Sequence, residues 1–276
     1  RCDMILTGDK STGPSTLSDE MKRTVYKTFQ AVADYNKSFG KHNLAALVGY
    51  TWEDEGQRTL SGSRNNFPSD DVPFLGAGGA DGQTNGGGGY DWAIQSVFGR
   101  LTYNYDQRYL FETTMRYDGS SRFPTDSKYG FFPSLAAGWR ISEESFFEPA
   151  RNIFDNLKVR ASYGSLGNQV TDGNFQYLSF LTSESLAYLM NGGIISGLKA
   201  PTLASTNITW EKVYTTNIGL DWTMLNGRFT GSFDYYIRDT KGMVVNKTYP
   251  AVLGTTGGKE NLADMRTKGM ELSLTW

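Results

Sequence analysis

Between Tyr109 and Asp118 the chain changes chemical character at every residue. Tyr109, Phe111, Thr113, Met115 and Tyr117 stand on one parity, and Leu110, Glu112, Thr114, Arg116 and Asp118 on the other. A period of two sends successive side chains to opposite faces of a sheet. The segment before it behaves alike, with Val97, Gly99, Leu101, Tyr103 and Tyr105 set against Phe98, Arg100, Thr102, Asn104 and Asp106. One face of this sheet must meet hydrocarbon or a core, and the other must meet water. No uninterrupted apolar run approaches the roughly 18 residues that a membrane-crossing helix requires. A membrane barrel stays open, because barrel strands hide their apolarity in alternation.

The same alternation recurs over 21–39, 44–52, 132–141, 157–165, 210–224, 228–245 and 265–276, about nine strands in all. Their connections sort by length. Tight turns fall near 40, 106 and 226, the last at Asn226-Gly227, whose easy positive φ suits a hairpin. The connection 142–156 is moderate, with Ser142 as a helix N-cap. Long, aperiodic connections are expected over 57–92, 118–130, 167–206 and 247–262, the first containing Gly86 to Gly89. Short and long alternate strictly. In an up-and-down meander alternate connections share an end, so the long loops gather at one rim and the turns at the other. Short periplasmic turns, long extracellular loops and an outward apolar stripe are the pattern of an outer-membrane barrel.

Composition narrows function. Twenty-seven basic side chains balance 29 acidic ones, leaving no electrostatic footprint for nucleic acid. Sixteen Tyr, 16 Phe and 6 Trp suit strands and membrane-interface girdles. With a single Cys, Cys2, there is no intrachain disulfide framework. The single His, His42, lies in a turn without partners for a triad or a metal, and is expected to be solvated. The stretch Gly254 to Lys259 is one residue short of a phosphate loop and has Glu260 where Ser or Thr would follow. No catalytic, cofactor or metal site is expected. The opening residues carry neither an initiator Met nor a secretory signal, as in a piece of a longer protein.

Several strings carry a family resemblance: FGRLTYNYDQRYLFETTMRYDGSSRF from Phe98, FPSLAAGWRISEESFF from Phe132, LKVRASYGSLGNQ from Leu157, WEKVYTTNIGLDWTMLNGRFTGSFDYYIRDTKGMVVN from Trp210 and MRTKGMELSLTW from Met265. In this order the chain resembles the SusC/RagA family of TonB-dependent outer-membrane transporters of Bacteroidetes. The resemblance implies an all-β, antiparallel, up-and-down transmembrane barrel of the plugged class of roughly 22 strands, of which residues 1–276 form part. It implies import of oligosaccharides or peptides, a SusD-like lipoprotein partner and coupling to TonB. The plug, the TonB-interacting segment and the remaining strands have no counterpart in these residues.

Within this frame Arg100, Glu112, Arg116, Asp118, Lys158 and Arg160 are expected on the lumen wall, and Phe111, Met115 and Tyr117 against lipid. Tyr90, Trp92, Tyr188 and Trp210, in or beside the long loops, are the candidate cargo contacts, since a flat ring offers an apolar face to a pyranose. A soluble or surface-anchored carbohydrate-binding module is the alternative. It would have to cover Leu101, Phe111, Leu220, Trp222, Phe233 and Leu272 with a second layer.

Overall fold

The computed structural model describes residues 15–69, 71–169, 173–190, 193–199, 203–250, 252 and 257–276. Cys2 and residues 254–256 of the glycine-rich stretch lie outside them. Eleven strands follow one another: β1 (Thr16–Phe39), β2 (His42–Asn65), β3 (Thr84–Tyr105), β4 (Tyr109–Ser120), β5 (Tyr129–Arg140), β6 (Phe154–Asn168), β7 (Thr182–Met190), β8 (Gly193–Lys199), β9 (Glu211–Met224), β10 (Phe229–Asn246) and β11 (Lys259–Thr275). Among the described residues nine form one sheet in the order β1-β2-β3-β4-β5-β6-β9-β10-β11, and β7 pairs with β8. Among the described residues no helix is long and apolar enough to cross a membrane. The chain divides into two compact units, Arg1–Thr28 with Glu53–Ala93, and Phe29–Trp52 with Ile94–Trp276.

In the second unit the register carries each face across six strand pairs. Phe111 lies opposite Tyr103 and Ala137, and Met115 opposite Gly99 and Pro133. Ala137 continues to Ala161 and then Ile218, and Ile218 to Tyr235 and Met270. Along this face Leu101, Phe111, Phe131, Leu135, Tyr163, Ile218, Phe233 and Leu272 are exposed, Leu272 at 63%. The small buried cluster of Phe123, Phe132, Ile208 and Trp210 lies at the loop end of the strands instead. A sheet whose large apolar side chains point outward and whose core is this small has lipid as the solvent of that face.

Two turns show how the hairpins close. Asp106 and Gln107 both take positive φ, 53° and 56°, the type I′ geometry that matches strand twist. Neither is glycine, so the turn is held by bonds: Gln107 N donates to Asn104 Oδ1 at 2.9 Å, and Asp106 N to the Lys41 carbonyl at 2.7 Å. At Asn226-Gly227 φ is 57° and 79°, and Leu225 joins them at 58°.

Four expectations change. Residues 57–65 and 84–92 are not loop but the far parts of β2 and β3. Where both faces of a strand are wet, the apolar period vanishes although the ladder persists. Gly87 and Gly89 serve that ladder: a Cβ on Gly87 would meet the Thr59 carbonyl at 2.8 Å, and one on Gly89 the Gln57 carbonyl. The connection 167–206 builds its own hairpin, β7–β8, which pairs backbone groups that a long loop would leave to water. The segment after β5 forms two 3-10 turns, Ile141–Glu143 and Ser145–Ala150, capped by no side chain. Ser142 instead donates to Asn156 Oδ1 at 3.4 Å. His42 opens β2, stacked on Phe39 with centroids 5.2 Å apart and bonded through Nδ1 to the Tyr103 hydroxyl at 2.7 Å; it is a half-buried member of an aromatic cluster.

Candidate functional site

The face opposite the apolar one carries charge. Arg100 pairs across from Thr114, and Glu112, Arg116 and Asp118 share that parity on β4. Through Ser134, Ala136 and Gly138 of β5 the same face reaches Arg160 and Lys158 of β6. All six residues expected on the lumen wall therefore share one face of the sheet. Glu112 accepts from Thr102 Oγ1 at 3.2 Å. Arg116 donates to Asp118 at 3.1 Å and lies 5.5 Å from the centroid of Phe98.

Arg160 is the centre of the densest group. Its Nε lies 3.1 Å from both Asp221 oxygens, its Nη2 2.6 Å from Asp234 Oδ2, and Lys158 Nζ reaches Asp221 at 3.3 Å. Three strands, β6, β9 and β10, are thus tied on one face. A Cβ on Gly219, which lies directly opposite Arg160, would strike the guanidinium at 2.5 Å, so glycine there gives the fork its room. Asp234 Oδ1 is buried without a partner among the described residues. The expected wall residues did not include Asp221 and Asp234. Their signal is present in the alternation, since each stands beside an outward aromatic, Trp222 and Phe233.

The candidate cargo contacts separate. Tyr90 and Trp92 lie on β3, half-buried. The Tyr90 hydroxyl donates to Glu55 Oε1 at 2.9 Å, and the Trp92 ring lies 6.4 Å from that of Tyr26. Tyr188 falls on β7, whose side chains lie outside the described residues. Trp210 is a correction. It is only 4% exposed, packed between Phe123 and Phe132 at 5.1 and 5.4 Å, and its Nε1 donates to the Lys128 carbonyl at 3.0 Å. No ring face remains for a sugar.

At the turn end the charges lie outside the strands. The Lys41 ammonium, 2.8 Å away, holds the Asp106 carboxyl below its ordinary range, with Arg108 assisting. Glu144 is lowered by the hydroxyl of Tyr109 at 2.7 Å and the indole N–H of Trp139 at 3.1 Å.

An antiparallel meander with exposed aromatic and aliphatic side chains on one face, ion-paired side chains on the other and long connections at one end is the wall of a transmembrane β-barrel. The chain belongs to the TonB dependent receptor-like, beta-barrel family, whose model matches residues 5–276, and its place is the outer membrane. It is 31% identical over 272 residues to TonB-dependent receptor P3 of Formosa agariphila, covering 98% of this chain and 26% of that protein. It is 39% identical over 185 residues to TonB-dependent receptor SusC of Bacteroides thetaiotaomicron, covering 66% of this chain and 18% of that protein. The RagAB peptide transporter superposes with a TM-score of 0.86 at 27% identity, over 96% of this chain and 29% of that one. The siderophore receptor PirA from Acinetobacter baumannii shares the fold, with a TM-score of 0.57 at 15% identity over 92% of this chain and 34% of that one. The chain thus spans between 18% and 26% of the length of these curated relatives.

Proposed function

We propose that these residues form part of the wall and the extracellular loops of a SusC-like importer that takes oligosaccharides or peptides across the outer membrane. In this reading import is TonB-dependent, a SusD-like lipoprotein is the partner at the loop rim, and no bond of the cargo is made or broken. The observation that supports it most is the joint match to SusC in sequence and to the RagAB peptide transporter in structure. Arg100, Glu112, Arg116, Asp118, Lys158 and Arg160 then line the lumen, and Tyr90, Trp92 and Tyr188 are the candidate cargo contacts that remain. The test is deletion of the whole receptor gene followed by growth on single oligosaccharides and on defined peptides. Loss of growth on one such nutrient, restored by the full-length receptor but not by one with its TonB-interacting segment removed, is expected. Unchanged growth on every nutrient that the parent strain uses, or copurification of the receptor without any lipoprotein, would overturn the respective part.

A further inference from the structure

We infer, resting on the importer reading above, that the cavity at the foot of the β7–β8 hairpin binds one apolar residue of a peptide cargo, with Gln176 Oε1 accepting a main-chain N–H of that peptide. The cargo class this selects is peptide. A cavity of about 380 Å³ lies there among Gln176, Leu178, Phe180, Leu203, Asn246 and Lys259. Leu178 and Phe180 lead into β7, and Leu203 follows β8. Asn246 stands opposite Lys259 and has the parity of Val244, which packs on the buried cluster around Trp210. That cluster includes Phe132, opposite Arg116, so the cavity belongs to the charged face at its loop end.

Bonds among three segments fix the walls. Ser205 N donates to the Gln176 carbonyl at 3.1 Å, Lys259 N to Ser205 Oγ at 2.7 Å, and Lys247 N to the Gly258 carbonyl at 3.1 Å. Tyr177, next to Gln176, packs on the buried cluster. A Cβ on Gly258 would strike the Leu203 carbonyl, so glycine lets the approach to β11 close on that foot of the hairpin. The cavity is built before anything enters it, as ligand sites usually are.

Two demands stay open within these walls. Gln176 Oε1 is buried and has no hydrogen-bond partner among the described residues, which costs free energy until a donor arrives. Leu178, Phe180 and Leu203 are apolar yet exposed, at 47%, 64% and 42%. A ligand that meets both demands carries a donor and an apolar group on separate arms. A peptide does so, with its N–H on the main chain and its apolar atoms on the side chain. A pyranose does not, because hydroxyls ring its edge, and those set against leucine would lose water without a replacement. Lys259 brings the only charge and no carboxylate lines the cavity among the described residues, so the walls favour an apolar side chain over a cationic one. The Asn246 carboxamide offers a donor and an acceptor, the complement of a peptide unit.

The experiment uses the full-length receptor in detergent micelles, with binding read by native mass spectrometry. Its probes are an acetylated and amidated alanine pentapeptide with leucine at the centre, the same peptide with serine there, singly N-methylated forms of the leucine peptide, and maltopentaose. The leucine peptide should bind about tenfold more tightly than the serine one, as expected for burial of a leucine side chain. N-methylation should weaken binding most at one position, by about tenfold, and in Q176M that position should no longer stand out. Maltopentaose should not displace the peptide. An unaltered receptor that binds no peptide, binds the leucine and serine forms alike, tolerates every N-methylation equally or releases the peptide to maltopentaose would overturn the inference, whatever the variant does. So would a Q176M protein that keeps the N-methylation profile of the parent. Growth of the deletion strain reports on import separately, so a receptor that supports growth and fails here overturns this inference alone.

Discussion

Phe111 and Glu112 are neighbours in the chain and meet opposite solvents. Phe111 is exposed on the apolar face between Tyr103 and Ala137, whereas Glu112 accepts from Thr102 on the charged one. Phe111→Arg in the full-length receptor should cost about 2–4 kcal/mol, the penalty for a cation on the lipid face near the bilayer midplane, while Glu112→Gln should stay within about 0.5 kcal/mol. The urea midpoint of the barrel in vesicles measures both, and equal costs would reverse the face assignment. Trp210→Ala should cost about 3–5 kcal/mol, as for a large buried aromatic, and leave cargo affinity unchanged where the protein still folds. The alternation made Phe111 and Glu112 legible in the sequence. The burial of Trp210 was not, because it depends on Phe123 and Phe132, which reach it from separate segments.

Among elements, the strands that cross lipid were the legible ones. β4 and β5 announce themselves by period, and so does the β9–β10 hairpin with its Asn-Gly turn. The far parts of β2 and β3 do not, since water on both faces removes the contrast that alternation needs. Arg160 supplies the test of how strands are tied to one another. Arg160→Met leaves Asp221 and Asp234 without their shared donor, and should cost about 1–3 kcal/mol. Adding Asp234→Asn should recover part of that cost in a double-mutant cycle. The β3–β4 turn supplies a pH test. Asp106 is lowered in the folded protein, so its contribution is fully present above the ordinary Asp value of about 3.9 and fades as pH falls through the lowered one. Hydrogen exchange of the turn amides should therefore separate Asp106→Asn from the parent at neutral pH and merge the two in acid.

For the whole molecule, β1 and β11 stand at the two ends of the sheet order, each with one neighbour among the described residues. Unpaired strand groups within lipid cost several kcal/mol each by order of magnitude. Residues 1–276 expressed alone should therefore not give a heat-resistant, membrane-inserted monomer on electrophoresis, whereas the full-length receptor should. Such a monomer from the isolated chain would show that the sheet closes on itself.

The junction around Trp210 ties together segments that are far apart in the chain. Ser127 Oγ donates to the Ile208 carbonyl at 2.8 Å, Thr209 Oγ1 donates to the Ser127 carbonyl at 3.3 Å, and Asn261 both accepts from Thr209 N and donates to its carbonyl at 2.9 Å. The loop after β4, the approach to β9 and the start of β11 are thereby locked into one body, with the indole as its bolt. Displacing any one of these three segments alone would leave the polar groups of the other two, at a half-buried junction, without their partners.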